Sequence, residues 1–217
     1  MGLLVMRERY AALVPGGTPL APQRGMTTIQ RNLEAQPITG QRAAESQPFA
    51  AITKLGLGLT DHARITSVDA LNRLLADTIA LRDLYKKHHW QVAGPTFYEL
   101  HRLFDDHAEQ QTKIADALAE RIQMLGGVAV ALGIDVAELS RIERAPRGRE
   151  EVPVQISRLL EAHLHILIAA RNFARKATEL GDDGTADLVI SDVVRANEMQ
   201  SWFAAQHVVD TPLVHAR

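Results

Sequence analysis

Four helix-length stretches of apolar side chains between residues 67 and 207 constrain the fold of this chain more than any other feature. In each stretch, apolar residues recur at every third or fourth position, which is the spacing of one face of an α-helix. Gly94-Pro95 separates the first two stretches and residues 181–184 separate the last two, whereas residues 126–152 form a long middle connection. Two short turns and one long crossover predict an all-α fold, a four-helix bundle.

Capping residues set the predicted starts of these helices. Ser67 is a suitable N-cap for the first helix, and Thr96 with Glu99 matches a capping box at the start of the second. The second helix is expected to end at Leu125, before two glycines. Inside the crossover, Asp135 is expected to cap one short helix with the sequence DVAELSRIER.

The third and fourth long helices are expected at about 154–180 and 185–207, with Trp202 and Phe203 of the fourth in the core. The predicted core stripe of the first helix is Leu71, Leu74, Leu75, Thr78, Leu81 and Tyr85. That of the second helix is Phe97, Leu100, Phe104, Ile114, Leu118, Ile122 and Leu125. That of the third helix is Ile156, Leu159, Leu160, His163, Leu164 and Leu167.

Composition predicts a flexible N-terminal extension at 1–60, a bundle domain at 61–210 and a short C-terminal tail at 211–217. The sequence has no signal-peptide pattern and no uninterrupted apolar stretch of the roughly 18 residues that a membrane span needs, so we expect a cytoplasmic protein. It contains no cysteine, which excludes disulfides, iron–sulfur clusters and thiolate zinc sites.

Histidine and carboxylate side chains form a polar stripe on the second helix. At about 100° per residue, Asp105, Asp116 and Glu120 lie about 40°, 60° and 100° from His101, and the stripe points largely away from the core. The 11 residues from Asp105 to Asp116 correspond to about 16 Å of helix, too far for one metal shell.

Two copies of the second helix, antiparallel across a two-fold axis near Gln110 and Gln111, would bring the two halves of the stripe together. His101 and Asp105 of one chain would then face Asp116 and Glu120 of the other, and a dimer would contain two equivalent sites. His89, at the end of the first helix, would add a nitrogen ligand. We therefore predict a metal site shared between two subunits, with a solvated polar face as the alternative.

Imidazole and carboxylate ligands without thiolate suit Fe(II), Zn(II) or Mn(II), and affinity order alone does not choose among these ions. Bundle proteins that oxidise iron inside one bundle use Glu-x-x-His pairs. The sequence contains no Glu-x-x-His, which favours the shared site.

The segments KKHHWQVAGPTFYELHRLFD, Asp116 with the ALAERIQMLGG that follows it, and DDGTADL at 182–188 resemble the Dps family (DNA-binding protein from starved cells), the dodecameric mini-ferritins. The resemblance covers about 65–207. It implies a ferritin-like bundle in a hollow shell of twelve subunits that oxidises Fe(II), preferably with hydrogen peroxide, and stores ferric iron. One departure is visible, because the last helix is one residue longer between Asp187 and Trp202 than in the family pattern.

The resemblance also assigns roles to individual residues. It implies two iron ions per site, with zinc as another possible occupant. The ferroxidase ligands would be His89, His101 and Asp105 from one subunit, and Asp116 and Glu120 from its two-fold mate. An iron-entry pore on a three-fold axis would involve Asp182, Asp183 and Asp187, for which capping of the last helix is the alternative. Trp90 would take up stray oxidising equivalents, or would simply pack in the interface.

A second function class is a DNA-compacting protein associated with the nucleoid. Residues 1–60 contain six Lys or Arg against three acids, a net charge of +3, whereas the whole chain has a net charge of −2. Twelve such tails would multiply a weak contact with phosphates. Because the charges are scattered, we expect weak DNA binding at physiological salt. A helical scaffold with an inactive metal site is a third possibility, which the complete ligand set disfavours.

Overall fold

The computed structural model describes residues 45–209, so most of the predicted extension and the whole predicted tail lie outside the described residues. The described chain is helical with no strand, which confirms the all-α prediction. Its elements are α1 (Asp61–Gln91), α2 (Phe97–Met124), α3 (Gly133–Leu139), α4 (Val152–Glu179), α5 (Asp183–Leu188), a π-helical segment (Val189–Val194) and α6 (Arg195–Gln206).

The long helices form a four-helix bundle, in which the last helix consists of α5, the π-helical segment and α6. Helix α1 packs along α2 and α4, and α4 packs along all three parts of the last helix. The crossover between α2 and α4 contains α3, which contacts α1. No helix in the described part of the chain is both long and apolar enough to span a membrane.

The first helix begins earlier than predicted. Thr60 is its N-cap, and the Thr60 side chain accepts a hydrogen bond from the Ala63 N–H at 3.1 Å. Ser67 is buried inside the helix, where its hydroxyl donates to Asp182 at 2.7 Å. The prediction of Ser67 as N-cap was wrong because this serine serves a tertiary contact with a residue far along the chain.

Two other predicted caps are also absent. Thr96 precedes α2, but its side chain makes no hydrogen bond to the first turn, so the capping box does not form. Helix α3 begins at Gly133 and ends at Leu139, which places Asp135 in its first turn rather than at its N-cap.

The last helix contains a π-helical segment in the region where the resemblance predicts one additional residue. A π-helix has i→i+5 hydrogen bonds, so one inserted residue is accommodated as a local bulge within an α-helix. The segment Val189–Val194 lies between Asp187 and Trp202, where the sequence predicts one extra residue. The helix therefore continues after the bulge, and α6 retains its packing against α4.

Most of the predicted core is buried. The α1 stripe is buried throughout, and so is the α2 stripe except for Phe97, which is 44% exposed. On α4, Leu164 is 59% exposed, and on α6, Trp202 and Phe203 are 62% and 43% exposed. The prediction that Trp202 and Phe203 lie in the core was wrong, since they form an apolar surface on the single chain.

Residues 45–60 have no helix but contact the end of α2. Gln47 Nε2 donates to the Gly126 carbonyl at 2.9 Å, and the Thr53 N–H donates to the same oxygen at 2.8 Å. Buried Arg64 donates to the Leu125 carbonyl and to the Thr53 carbonyl. Gly126 has φ +84°, and a Cβ there would lie 2.8 Å from Thr53 O, so glycine is required in this turn. The later part of the predicted extension is therefore bonded to the bundle.

Candidate metal centre

His89 and His101 lie face to face at the hairpin between α1 and α2. Their ring centroids are 3.8 Å apart and the ring planes differ by 20°. Phe97, on the first turn of α2, stacks on the other side of His101 at 5.0 Å. The short turn after α1 places the last turn of one helix beside the first turns of the next, which brings together two histidines 12 residues apart in sequence.

The hydrogen bonds of this pair determine which nitrogen of each ring can bind a metal. His89 Nδ1 lies 2.7 Å from the His101 carbonyl oxygen, and His101 Nδ1 lies 2.9 Å from the His89 carbonyl oxygen. A carbonyl only accepts, so both Nδ1 atoms carry the proton and donate. In the neutral form of each ring the lone pair is therefore on Nε2, and the backbone fixes the orientation of both rings, which is the usual support for a metal-binding imidazole.

Asp105 lies one turn after His101 and is held by a cation. Lys86 Nζ is 2.5 Å from Asp105 Oδ1, and the two side chains are 35% and 40% exposed. The hydrogen bond from Lys86 lowers the pKa of Asp105. The carboxylate is thus ionised and accessible, and an incoming cation competes with Lys86 for it.

Asp116 and Glu120 are exposed on the same helix, about three and four turns beyond Asp105, respectively. Within residues 45–209 of one chain, no cluster of three or more His or acidic side chains is arranged to hold a metal ion. One chain therefore presents two half-sites, His89–His101–Asp105 and Asp116–Glu120. Their pairing between two subunits stays a prediction.

Trp90 follows His89 and is 71% exposed. Lys86 Nζ lies 5.9 Å from the centroid of its ring. Both the redox role and the interface role predicted for Trp90 remain compatible with this position.

Asp182 differs from the other two predicted pore residues. It is 1% exposed, caps α5, and accepts hydrogen bonds from Ser67 at 2.7 Å and Arg121 at 2.7 Å. Burial alone raises the pKa of Asp182, but the hydrogen bonds from Thr185, Ser67 and Arg121 outweigh burial and lower that pKa. Asp182 is therefore a structural residue that cannot line a pore.

Asp183 and Asp187 are exposed. They line a surface groove together with Arg171 and Arg175, so this groove carries side chains of both charges. Their role in a pore stays a prediction.

Sequence reasoning missed a buried polar network in the middle of the bundle. Tyr85, His107 and His163 are all buried there, and hydrogen bonds join them to Asn197 on α6. His163 was expected to be a packed histidine, which is confirmed. The sequence did contain an indication of this network, because Tyr85 and His163 both fall in predicted core stripes. Buried polar atoms need hydrogen-bond partners, so a network between these helices could have been expected.

Comparison with known proteins supports the same family. The family description for the ferritin-like domain matches residues 68–214. The structure of DpsC from Streptomyces coelicolor has 50% sequence identity and a TM-score of 0.78, and the match covers 79% of this chain and all of that one. This chain belongs to the Dps family of the ferritin-like superfamily.

More distant Dps proteins match over most of their length. An archaeal Dps homologue from Halobacterium salinarum has 27% identity and a TM-score of 0.74, covering 82% of this chain and 97% of that one. A nutrient stress-induced DNA-binding protein from Synechococcus is 32% identical over 152 residues, 70% of this chain and 86% of that relative. The Dps structure from Vibrio cholerae, 25% identical with a TM-score of 0.68 over 73% of this chain and 99% of that one, is described as a ferritin-like diiron-carboxylate protein.

Proposed function

We propose that this Dps protein is a ferroxidase that oxidises Fe(II) at sites shared between two subunits and stores the ferric product in a shell of twelve subunits. The observation that carries the proposal is the His89–His101 pair, in which reciprocal bonds to backbone carbonyls leave both Nε2 atoms free to bind a metal. A polar face without function needs no such control of the imidazole tautomers.

The donor set fits ferrous iron as a substrate. Each shared site offers two imidazole nitrogens and three carboxylates, from His89, His101 and Asp105 of one chain and Asp116 and Glu120 of the other. These are ligands of intermediate and hard character that suit Fe(II), and they also suit zinc, which we expect to compete for the site. The carboxylates offset the positive charge of two ferrous ions, which is necessary for the ions to lie close together.

The reaction balances with hydrogen peroxide as the oxidant. Two Fe(II) ions each give one electron, and one hydrogen peroxide takes both electrons with two protons to yield two water molecules. Because both electrons leave together, a hydroxyl radical is not released. The role of the chain is to hold two ferrous ions at adjacent positions, and Lys86 must give up its bond to Asp105 when iron arrives.

The test uses two inactive variants that complement each other. Asp116→Ala/Glu120→Ala and His89→Ala/His101→Ala should each assemble but lose rapid Fe(II) oxidation, measured by stopped-flow absorbance of the ferric product. A mixed dimer has one intact site and one empty site, so co-expression at equal levels should restore about a quarter of the wild-type activity. Asp106→Ala, at an exposed neighbour of Asp105, is the control and should keep full activity.

Two outcomes would contradict the proposal. Unchanged oxidation in either double variant would remove those residues from the site. Zero recovery in verified mixed dimers would show that the site is not shared between chains.

We propose DNA protection as a second function, acting through the basic N-terminal region. The supporting observation is that relatives carry such names, including a DNA protection during starvation protein from Agrobacterium fabrum, 29% identical over 150 residues, 69% of this chain and 92% of that relative. A net charge of +3 over residues 1–60 gives each subunit only a weak contact with phosphates, which twelve copies would multiply. The binding should therefore decline steeply with salt.

A further inference from the structure

Tyr85 lies at the centre of the bundle between two histidines. It is fully buried, its hydroxyl oxygen lies 2.5 Å from His163 Nε2, and the same oxygen lies 3.1 Å from His107 Nδ1. The three residues come from three different helices, α1, α2 and α4. The hydroxyl therefore has both neighbours held in place by tertiary packing.

The directions of these hydrogen bonds follow from the last helix. Asn197 Nδ2 donates to the Val193 carbonyl at 2.7 Å, which fixes Asn197 Oδ1 as the atom that faces His163. His163 Nδ1 lies 2.7 Å from that oxygen and must donate to it. Burial lowers the pKa of His163 to about 4, so the ring is neutral at pH 7 and its Nε2 accepts. The Tyr85 hydroxyl consequently donates its only proton to His163.

His107 completes the assignment. Since the Tyr85 proton points to His163, the Tyr85 oxygen is an acceptor toward His107, and His107 Nδ1 must be the donor. The phenol therefore has a base directly on its proton and a donor on its oxygen. Burial raises the pKa of Tyr85, which prevents simple ionisation of the phenol.

Tyr85 is also close to the proposed iron site. It precedes His89 by four residues on α1, about 6 Å along the helix. Phe104 lies three residues after His101 on α2, and the centroids of the Phe104 and Tyr85 rings are 5.9 Å apart. Tyr85 and Phe104 thus lie about one helical turn from His89 and His101, respectively, and their rings are neighbours.

We propose that Tyr85 is a buried one-electron donor whose phenolic proton moves to His163 when the electron leaves. The oxidant in the cell would be an oxygen radical, of the kind that forms when a single Fe(II) ion reduces hydrogen peroxide. This part of the inference rests on the proposed ferroxidase function. Tyr85 would then hold the oxidising equivalent inside the bundle, away from the exposed surface and from any bound DNA.

The step is balanced. Tyr85 loses one electron and one proton and becomes a neutral tyrosyl radical; His163 Nε2 gains the proton and becomes imidazolium, while its Nδ1–H still donates to Asn197. A hydroxyl radical gains the electron and becomes hydroxide. Loss of the electron makes a phenol strongly acidic, so the proton transfers even to an imidazole of low pKa. A second Fe(II) ion later returns one electron, and the proton returns from His163.

The experiment uses intact shells and electron paramagnetic resonance. Iron-free protein is oxidised by a flash-quenched ruthenium tris-bipyridine complex, and iron-loaded protein by substoichiometric Fe(II) followed by hydrogen peroxide. The chain has three tyrosines, Tyr10, Tyr85 and Tyr98. Ring-deuterated tyrosine distinguishes a tyrosyl signal from a tryptophan signal.

We expect a tyrosyl signal in wild type and in Tyr10→Phe/Tyr98→Phe, which retains Tyr85 alone, and its loss when Tyr85→Phe is added to that double variant. His163→Gln retains a hydrogen-bonding side chain but cannot take up a proton, so the radical yield should fall by about 100-fold, the lower end of what a positioned proton acceptor contributes. Circular dichroism and light scattering establish that each variant is folded and assembled.

The two oxidation routes separate the inference from the proposed function. A Tyr85 signal with the ruthenium complex but none with iron and peroxide would support the donor and count against the iron chemistry. Absence of a tyrosyl signal from Tyr10→Phe/Tyr98→Phe with either oxidant, or an undiminished yield when His163→Gln is added to that variant, would overturn the inference even if ferroxidation is normal.

Discussion

Replacing Asp182 by alanine should destabilise the protein without changing iron uptake through any pore. The Asp182 carboxylate joins three parts of the chain, because it caps α5, accepts from Ser67 of α1 and pairs with Arg121 of α2. Asp183, its neighbour, is exposed and provides a matched control.

The magnitude follows from these contacts. Breaking a buried ion pair by removing one partner costs about 3–5 kcal/mol. Because the Arg121 side chain is 21% exposed and can regain water, we take the lower value, about 3 kcal/mol including the lost cap. For a chain of this size, the melting temperature should fall by roughly 6–12 °C. Asp183→Ala should change the free energy of unfolding by less than about 0.5 kcal/mol.

The pH dependence has a definite sign. Hydrogen bonds hold the pKa of Asp182 below 3.8, its ordinary value. The stabilisation is therefore fully present above the unfolded pKa and is lost as the pH falls through the lower folded pKa. The difference in stability between wild type and Asp182→Asn should be constant from about pH 5 to 7 and should shrink below about pH 4.

The assay is thermal unfolding followed by circular dichroism at one protein concentration, since assembly also stabilises the fold. Equal melting temperatures for wild type and Asp182→Ala would refute the structural role. A drop for Asp183→Ala as large as that for Asp182→Ala would show that the effect comes from general acidity near the helix start.

Four further predictions concern the site, the pore, the assembly and the tail. Lys86→Met should tighten anaerobic Fe(II) binding by up to about fivefold, because an exposed ion pair that competes for Asp105 is worth at most about 1 kcal/mol; weaker binding by calorimetry would contradict this. Asp187→Asn should slow iron uptake at low salt, and the wild-type advantage should shrink at high salt, where screening weakens attraction; equal low-salt rates would exclude the pore role. Light scattering should give about twelve times the chain mass of 23.9 kDa, and an active monomer would contradict the shared site. Deleting residues 1–44 retains the segment bonded to Gly126. This deletion should abolish DNA binding in a gel-shift assay at low salt and leave ferroxidation unchanged. Tight binding by the full-length shell at about 150 mM salt would show that the tail is a stronger DNA ligand than its charge suggests.

Much of the fold could be predicted because helical periodicity is a local property. The stripes of α1 and α2 needed only residue spacing, and the stripe containing His101, Asp105, Asp116 and Glu120 follows from 3.6 residues per turn. The same spacing showed that one helix cannot enclose a metal, which agrees with the separate half-sites of the single chain.

Surface position and polar pairing were not predictable from spacing alone. Leu164, Trp202 and Phe203 have apolar side chains at helical spacing, yet they are exposed, since periodicity does not say which faces find a partner within one chain. Ser67 resembles an N-cap, but its hydroxyl bonds Asp182, 115 residues away.

By itself, the sequence determined the helices, their order and the residue types that could bind iron, because these depend on local spacing and ligand chemistry. Only the tertiary structure decided which ring nitrogen of His89 and His101 donates to a carbonyl, the burial of Asp182 and the bonding of Tyr85 to His163. Each of these depends on which atom of a distant residue lies within hydrogen-bonding distance, and packing of the helices sets that distance.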